Sequence, residues 1–144
     1  MNFDTLNSDI TCNCTIDAII DNNSNFALKM NKGMMRDNDF KTYWEKGRRP
    51  ELMNCTQICS HKGQSLSIVN NSIDLEKIIN VYKQLFPFSP SYRTHCAIIT
   101  LKENSGMVKS TPIEINPFHY DFYKSDDFNI EKIEVHKIIS LSDV

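Results

Sequence analysis

Glycine and proline are scarce, four and five residues among 144, and no stretch rich in Pro, Gly or Ser is long enough to separate two domains. There is no internal repeat and no low-complexity tract. No apolar run approaches the roughly 20 residues that a membrane-spanning helix requires. The polar start from Met1 to Asp9 lacks the basic and apolar regions of a signal peptide. Charge of one sign is missing as well: the formal charge is −2 and the pI about 6.1, so the whole molecule does not attract phosphates or anionic lipid, and any such binding needs a local patch. These absences lead to the expectation of one cytoplasmic domain over residues 1–144, with no membrane partner and no nucleic-acid partner. Residues 1–25 form a peripheral segment in this reading, packed on the domain or swapped onto a neighbour.

What is present is ordinary for a globular chain. Apolar residues make up 40% and charged residues 24%, and a chain of this length buries about two thirds of the surface that its unfolded form exposes. The five cysteines are an odd number, and no export signal accompanies them, so free thiols are expected rather than a disulfide framework.

The first half of the chain reads as helical. Asp37 can cap a helix from Asn38 to Lys46 that carries Phe40, Tyr43 and Trp44 and stops at Gly47. Pro50 suits the first turn of a second helix that ends at Gly63. A third helix starts at Ser72 or Asp74, shows Leu75, Ile78, Ile79 and Tyr82 at helical spacing, and ends before Pro87. The second half reads as strands: Leu66–Val69, Tyr92–Lys102, Met107–Lys109, Phe118–Tyr123 and Lys132–Ser140, with a turn at Asn104-Ser105-Gly106. In the last strand, strict alternation puts Ile133, Val135 and Ile139 on one face and His136 and Ile138 on the other. The expected class is therefore α+β, with a helical N-terminal half packed on a mainly antiparallel sheet from the C-terminal half.

Four groups of residues are candidates for chemistry. Cys55 and Cys59, four apart on a helix, could bind zinc with His61 and with Cys12, Cys14, His95 or Cys96, although one Cys-x3-Cys without a matching second knuckle assigns no ligand set. Cysteine nucleophiles paired with neighbouring histidines fail on direction, since His95 and Cys96 point to opposite faces of a strand. Tyr43-Trp44-Glu45-Lys46-Gly47-Arg48-Arg49-Pro50 could stack an unpaired base or a nucleotide, but core packing of Trp44 and a basic helix end are the stronger explanation. The fourth group is His61 to Ser67, whose strand puts Ser65 and Ser67 on one face, together with Tyr92-Arg93-Thr94-His95 and His119-Tyr120-Asp121.

From Gly63 to Val135 the order of elements resembles the second half of an ADP-ribosyltransferase: a Ser-x-Ser strand, a helix, a long strand, a turn, then a polar strand leading to a last strand. The resemblance implies an enzyme using NAD or another nucleotide; if the chain is an enzyme, Ser65, His95, His119 and Asp121 are the candidates for catalysis and Gly63, Ser67, Tyr92 and Arg93 for cofactor contacts. Where that family carries a glutamate that binds the ribose or stabilises positive charge as nicotinamide leaves, this chain has Asp121, one methylene shorter, with His119 two positions before it. The reading that the sequence favours is nevertheless a small protein-binding or regulatory protein with an unidentified protein partner, since no strong catalytic motif is present; the enzyme and a zinc-stabilised module are its alternatives. Convergence of Ser65, His95, His119 and Asp121 on one concavity would favour an enzyme.

Overall fold

A computed structural model describes residues 1–8, 12–31, 33–85 and 94–141. Among the described residues, nine helices and strands follow in chain order: α1 (Asp4–Asn7), β1 (Asn25–Met30), α2 (Cys55–Lys62), β2 (Gln64–Val69), α3 (Ser72–Leu85), β3 (His95–Leu101), β4 (Gly106–Ser110), β5 (His119–Lys124) and β6 (Ile133–Ser140), with 3-10 turns at Asp37–Phe40 before α2 and at Ile130–Lys132 before β6. The strands form one antiparallel sheet in the order β4-β5-β2-β1-β3-β6.

This overturns the expected division into a helical first half and a sheet-forming second half. β1 comes from the first half and lies inside the sheet, between β2 and β3. Its residues Phe26, Leu28 and Met30 point into the main core with Leu66, Ile99 and Phe122, and Phe40 closes that face. Ala27 points to the opposite face, where α3 packs Ile78 and Tyr82 against Ala27, Cys96 and Ile98. A six-residue strand buried on both faces reads as a nearly continuous apolar run, without the alternation that marks a half-exposed strand.

The expected helix from Asn38 to Lys46 is absent. The 3-10 turn ends because Lys41 is extended (φ −78°, ψ 117°), and a separate turn follows. There the Thr42 N–H donates to Glu45 Oε1 at 3.0 Å, while the same carboxylate holds Lys124 at 2.6 Å. The tertiary pair fixes the turn where helical propensity alone would continue. Gly47 ends it with φ at 84°, a left-handed conformation that glycine adopts without strain. The second helix starts at Cys55, not near Pro50, because Asn54 caps it by accepting from the Gln57 N–H at 2.9 Å. α3 matches its sequence pattern, with Asn71 capping through the Asp74 N–H; its end near Pro87 lies outside the described residues.

The faces of β6 also differ from strict alternation. A register shift between Ile98 and Ile99 pairs Ile99 with Val135 but Ile98 with Lys137, so His136 is the extra residue of a bulge. Beyond it the faces exchange: Ile138 packs with Ile133 in the main core, and Ile139 packs under α3.

Four of the cysteines are paired, against the expectation of free thiols. Cys12 bonds Cys55 and Cys14 bonds Cys59, while Cys96 is free and buried. The bridges fix the segment before β1 to α2, over Ile58 and Tyr123. The same segment is held near β5, where Asp126 accepts from the Asp4 and Thr5 N–H groups at 3.1 and 2.9 Å.

Because Leu28 is wholly buried in the central strand, Leu28→Ala should cost about 2–5 kcal/mol in urea unfolding, whereas Ile73→Ala at a 64% exposed position should stay within about 0.5 kcal/mol. A Leu28→Ala loss under about 1 kcal/mol would contradict a central β1.

Candidate functional site

The second face of the sheet is covered at two places and open between them. At one end, α3 covers it; at the other, α2 and the disulfides cover Tyr123. Between them β2 and β5 pair so that Ser65 lies opposite Asp121 and Ser67 opposite His119. Alternation puts these four side chains on the same face as Tyr123.

The two serines have different fates. Ser67 is wholly buried, with Oγ 2.6 Å from the Tyr82 hydroxyl, and it accepts from Asn116 Nδ2 at 2.9 Å. Tyr82 in turn donates to the Ala27 carbonyl at 3.2 Å, so the Ser67 hydroxyl anchors α3 to the sheet. Burial raises the Tyr82 phenol above its ordinary range. Ser65 is exposed, and its Oγ is 3.1 Å from His119 Nε2.

The His119 tautomer follows from its other nitrogen. Nδ1 is 3.0 Å from the Thr111 carbonyl oxygen and 2.9 Å from the Thr111 hydroxyl. A carbonyl only accepts, so Nδ1 carries the proton and Nε2 presents a lone pair to the Ser65 hydroxyl. Burial lowers the imidazole pKa, the Thr111 carbonyl opposes that effect, and the charge of Lys29 adds to it. A neutral base thus sits beside an accessible hydroxyl.

Asp121 lies beneath this pair and is 4% exposed. Burial pushes its carboxyl up to about 7, against the pull of the Thr111 hydroxyl and the Lys109 ammonium. Its Oδ1 has no hydrogen-bond partner among the described residues. Such an atom is costly, and unsatisfied or strongly shifted groups concentrate at functional sites. Gly63 makes the placement sterically possible, because a Cβ there would lie 2.9 Å from Asp121 Cβ and 3.1 Å from Oδ1.

Of the expected catalytic residues, Ser65, His119 and Asp121 therefore come together, and His95 does not. His95 starts β3 on the other face, opposite Met30 and Ser140, with Nδ1 2.8 Å from the Thr94 hydroxyl. Among the expected cofactor contacts, Gly63 adjoins Asp121, Ser67 is turned into the core, and Tyr92 and Arg93 lie outside the described residues. Thr111, Lys29 and Lys109 were missed. Extending the alternation of Met107–Lys109 by two positions puts Thr111 on the face of Lys109, and Lys29 stands out as a charge inside an apolar run.

The other candidates change character. Arg49 stacks on Trp44 at 3.6 Å and Arg48 on Tyr43 at 5.0 Å, so the basic segment folds onto its own aromatics. Cys96 is buried with its thiol pushed up to about 12, which leaves no thiolate for catalysis at neutral pH. With Cys12, Cys14, Cys55 and Cys59 held in disulfides, no three His, Cys, Asp or Glu side chains among the described residues stand arranged to hold a metal. A separate cavity of about 260 Å³ is lined by Trp44, Glu45, Lys62, Lys124 and Phe128 and shares no residue with the Ser65 cluster.

Comparison with known proteins finds no matching family model, curated protein or solved structure.

The pH dependence of stability tests the Asp121 environment. Its folded pKa of about 7 lies above the ordinary 3.8, so the native state keeps a proton that the unfolded state has lost, and stability falls as pH rises through this window. Asp121→Asn removes that dependence. The variant should match wild type near pH 4 and exceed it by on the order of 2–4 kcal/mol above pH 7 in denaturant titrations; equal pH slopes for both proteins would refute the assignment.

Proposed function

We propose that the chain is an ADP-ribosyltransferase-like enzyme that acts on NAD, or on a related nucleotide, at the surface formed by Ser65, His119 and Asp121. The observation that carries this reading is the register of β2 on β5, which sets the Ser-x-Ser strand beside the polar strand with Ser65 opposite Asp121. β2, α3, β3, β5 and β6 follow one another in the order of that pattern, with β4 standing between the turn after β3 and the polar strand β5.

Each residue has a role that its geometry permits. Asp121, ionised, supplies negative charge from beneath the surface, where the low local dielectric strengthens its effect on positive charge developing at the ribose as nicotinamide leaves. His119 Nε2 takes the proton of the attacking hydroxyl or amine, since its own proton is fixed on Nδ1. Ser65 orients a ligand by hydrogen bonding. Lys29 and Lys109, whose charges reach His119 and Asp121, give the site the sign that a pyrophosphate requires.

The alternative, a protein-binding or regulatory domain, draws on Ile16, Ile19 and Ile20, each more than half exposed, with Ile19 bridging Val108 of the edge strand β4. It offers no account of the Asp121 oxygen that lacks a hydrogen-bond partner among the described residues.

Millimolar NAD should raise the Tm of the wild-type protein, and Asp121→Asn and His119→Ala should lose that protection while remaining folded. Nicotinamide release should increase with pH through about 7 as Asp121 ionises. Absence of any NAD effect on Tm, together with no nicotinamide release, would reject the enzyme and leave the protein-binding reading.

A further inference from the structure

The disulfides have a redundancy that calls for a physical reason. Both join the same two short segments, Cys12-x-Cys14 and Cys55-x3-Cys59, with sequence separations of 43 and 45 residues. A cross-link stabilises by removing loop-closure entropy from the unfolded chain. Once the first bridge has closed its loop, the second closes only the few residues between neighbouring cysteines, and its added effect is small because closure cost rises with loop length. Cross-linking alone therefore does not account for four sulfur atoms at this place.

Their arrangement does fit another use. The paired Cα atoms are 5.4 and 5.2 Å apart, Cys55 and Cys59 are one helical turn apart on α2, and Cys12 and Cys14 are within about 7 Å along the chain. The four Cα atoms thus mark the corners of a small quadrilateral, each bridge joining one corner on the N-terminal segment to one on α2. Cys55 is the first residue of α2 behind the Asn54 cap, where the positive end of the helix favours a thiolate. Cys12 and Cys14 are buried at 7% and 1% exposure and Cys59 is half-buried, with Ile58 and Tyr123 packed beside them, while Cys55 lies at the exposed rim. Four sulfurs from two short segments, held on a packed apolar floor, match the ligand number and type of a structural zinc site.

We propose that, after reduction, Cys12, Cys14, Cys55 and Cys59 bind one zinc ion through four thiolates, so that the metal replaces the two disulfides as the tie between the N-terminal segment and α2. Each disulfide takes two electrons and two protons from a dithiol reductant, which is itself oxidised to a disulfide. Zinc then displaces the protons of the four thiols and forms Zn–S bonds of about 2.3 Å. The site is independent of the reading of the Ser65 surface, and Cys96, buried in β3 under α3, takes no part.

The full chain, reduced with dithiothreitol and desalted without oxygen, is titrated with zinc and in parallel with cobalt(II). One equivalent should bind per chain, cobalt should give an intense thiolate-to-metal charge-transfer band, and zinc should raise the Tm of the reduced protein, or refold it if reduction unfolds it. Cys96→Ala should keep the full stoichiometry, while Cys14→Ser with Cys59→Ser should lower affinity at least tenfold. The proposal is overturned if reduced wild type fails to bind one equivalent, if binding neither raises Tm nor restores the fold, or if Cys96→Ala loses the metal.

Discussion

The pairing of β2 with β5 joins the two parts of the sheet. On one side lie β1, β3 and β6, and on the other β4, whose sheet partner is β5. In the observed register Leu66 lies opposite Tyr120 and Gln64 opposite Phe122 on the core face, while Ser65 and Ser67 lie opposite Asp121 and His119 on the other. A slip of one residue would put serines on the core face against Phe122 and Tyr120, and the hydrophobic loss would be several kcal/mol. Burial of Leu66 and Phe122 thus fixes the register, and the polar cluster on the reverse face is positioned as a consequence.

That cluster carries a cost that the core must offset. A carboxyl buried to 4% exposure, with one oxygen that has no hydrogen-bond partner among the described residues, is opposed by desolvation, and the raised pKa is the visible sign. Protonation relieves the cost at acid pH, and Thr111 and Lys109 relieve part of it when the group is charged. Thr111 also sets the His119 tautomer through its carbonyl, so one residue after β4 supports both ionisable groups. Ser67 shows how the same strand face is made inert where α3 covers it: its hydroxyl is committed to Tyr82 and Asn116.

Legibility in the sequence followed the strength of the local signal. α3 and the strands from β2 to β6 were legible because amphipathic period and turn residues agreed with their tertiary setting. β1 was not, since a strand buried on both faces carries no alternation, and the turn at Thr42 to Gly47 was not, since its geometry depends on Lys124 from a distant strand. The faces of β6 were misread at a bulge that pairing alone reveals. Ser65, His119 and Asp121 were legible as two alternating pairs, but their meeting depended on strand order, and His95 was assigned to them for want of it. The cysteine pairing joins residues more than 40 positions apart, and spacing within each pair could not show it.

The cysteine tie and the polar cluster are adjacent for a structural reason. α2 ends at Lys62, and the next residue, Gly63, has its N–H on the Cys59 carbonyl at 3.1 Å and its Cα against Asp121. The same Cys59 carbonyl receives the Tyr123 hydroxyl at 3.0 Å, two residues beyond Asp121 on the same face of β5. The end of α2 is therefore held to β5 at two points, and the bridge at Cys59 holds that end to the N-terminal segment. Gly63 leaves no spare space, so a small displacement of α2 would change the packing over the Asp121 carboxyl and with it the desolvation that sets its charge. Whatever fastens α2 thereby acts on the environment of the one buried carboxylate in the cluster.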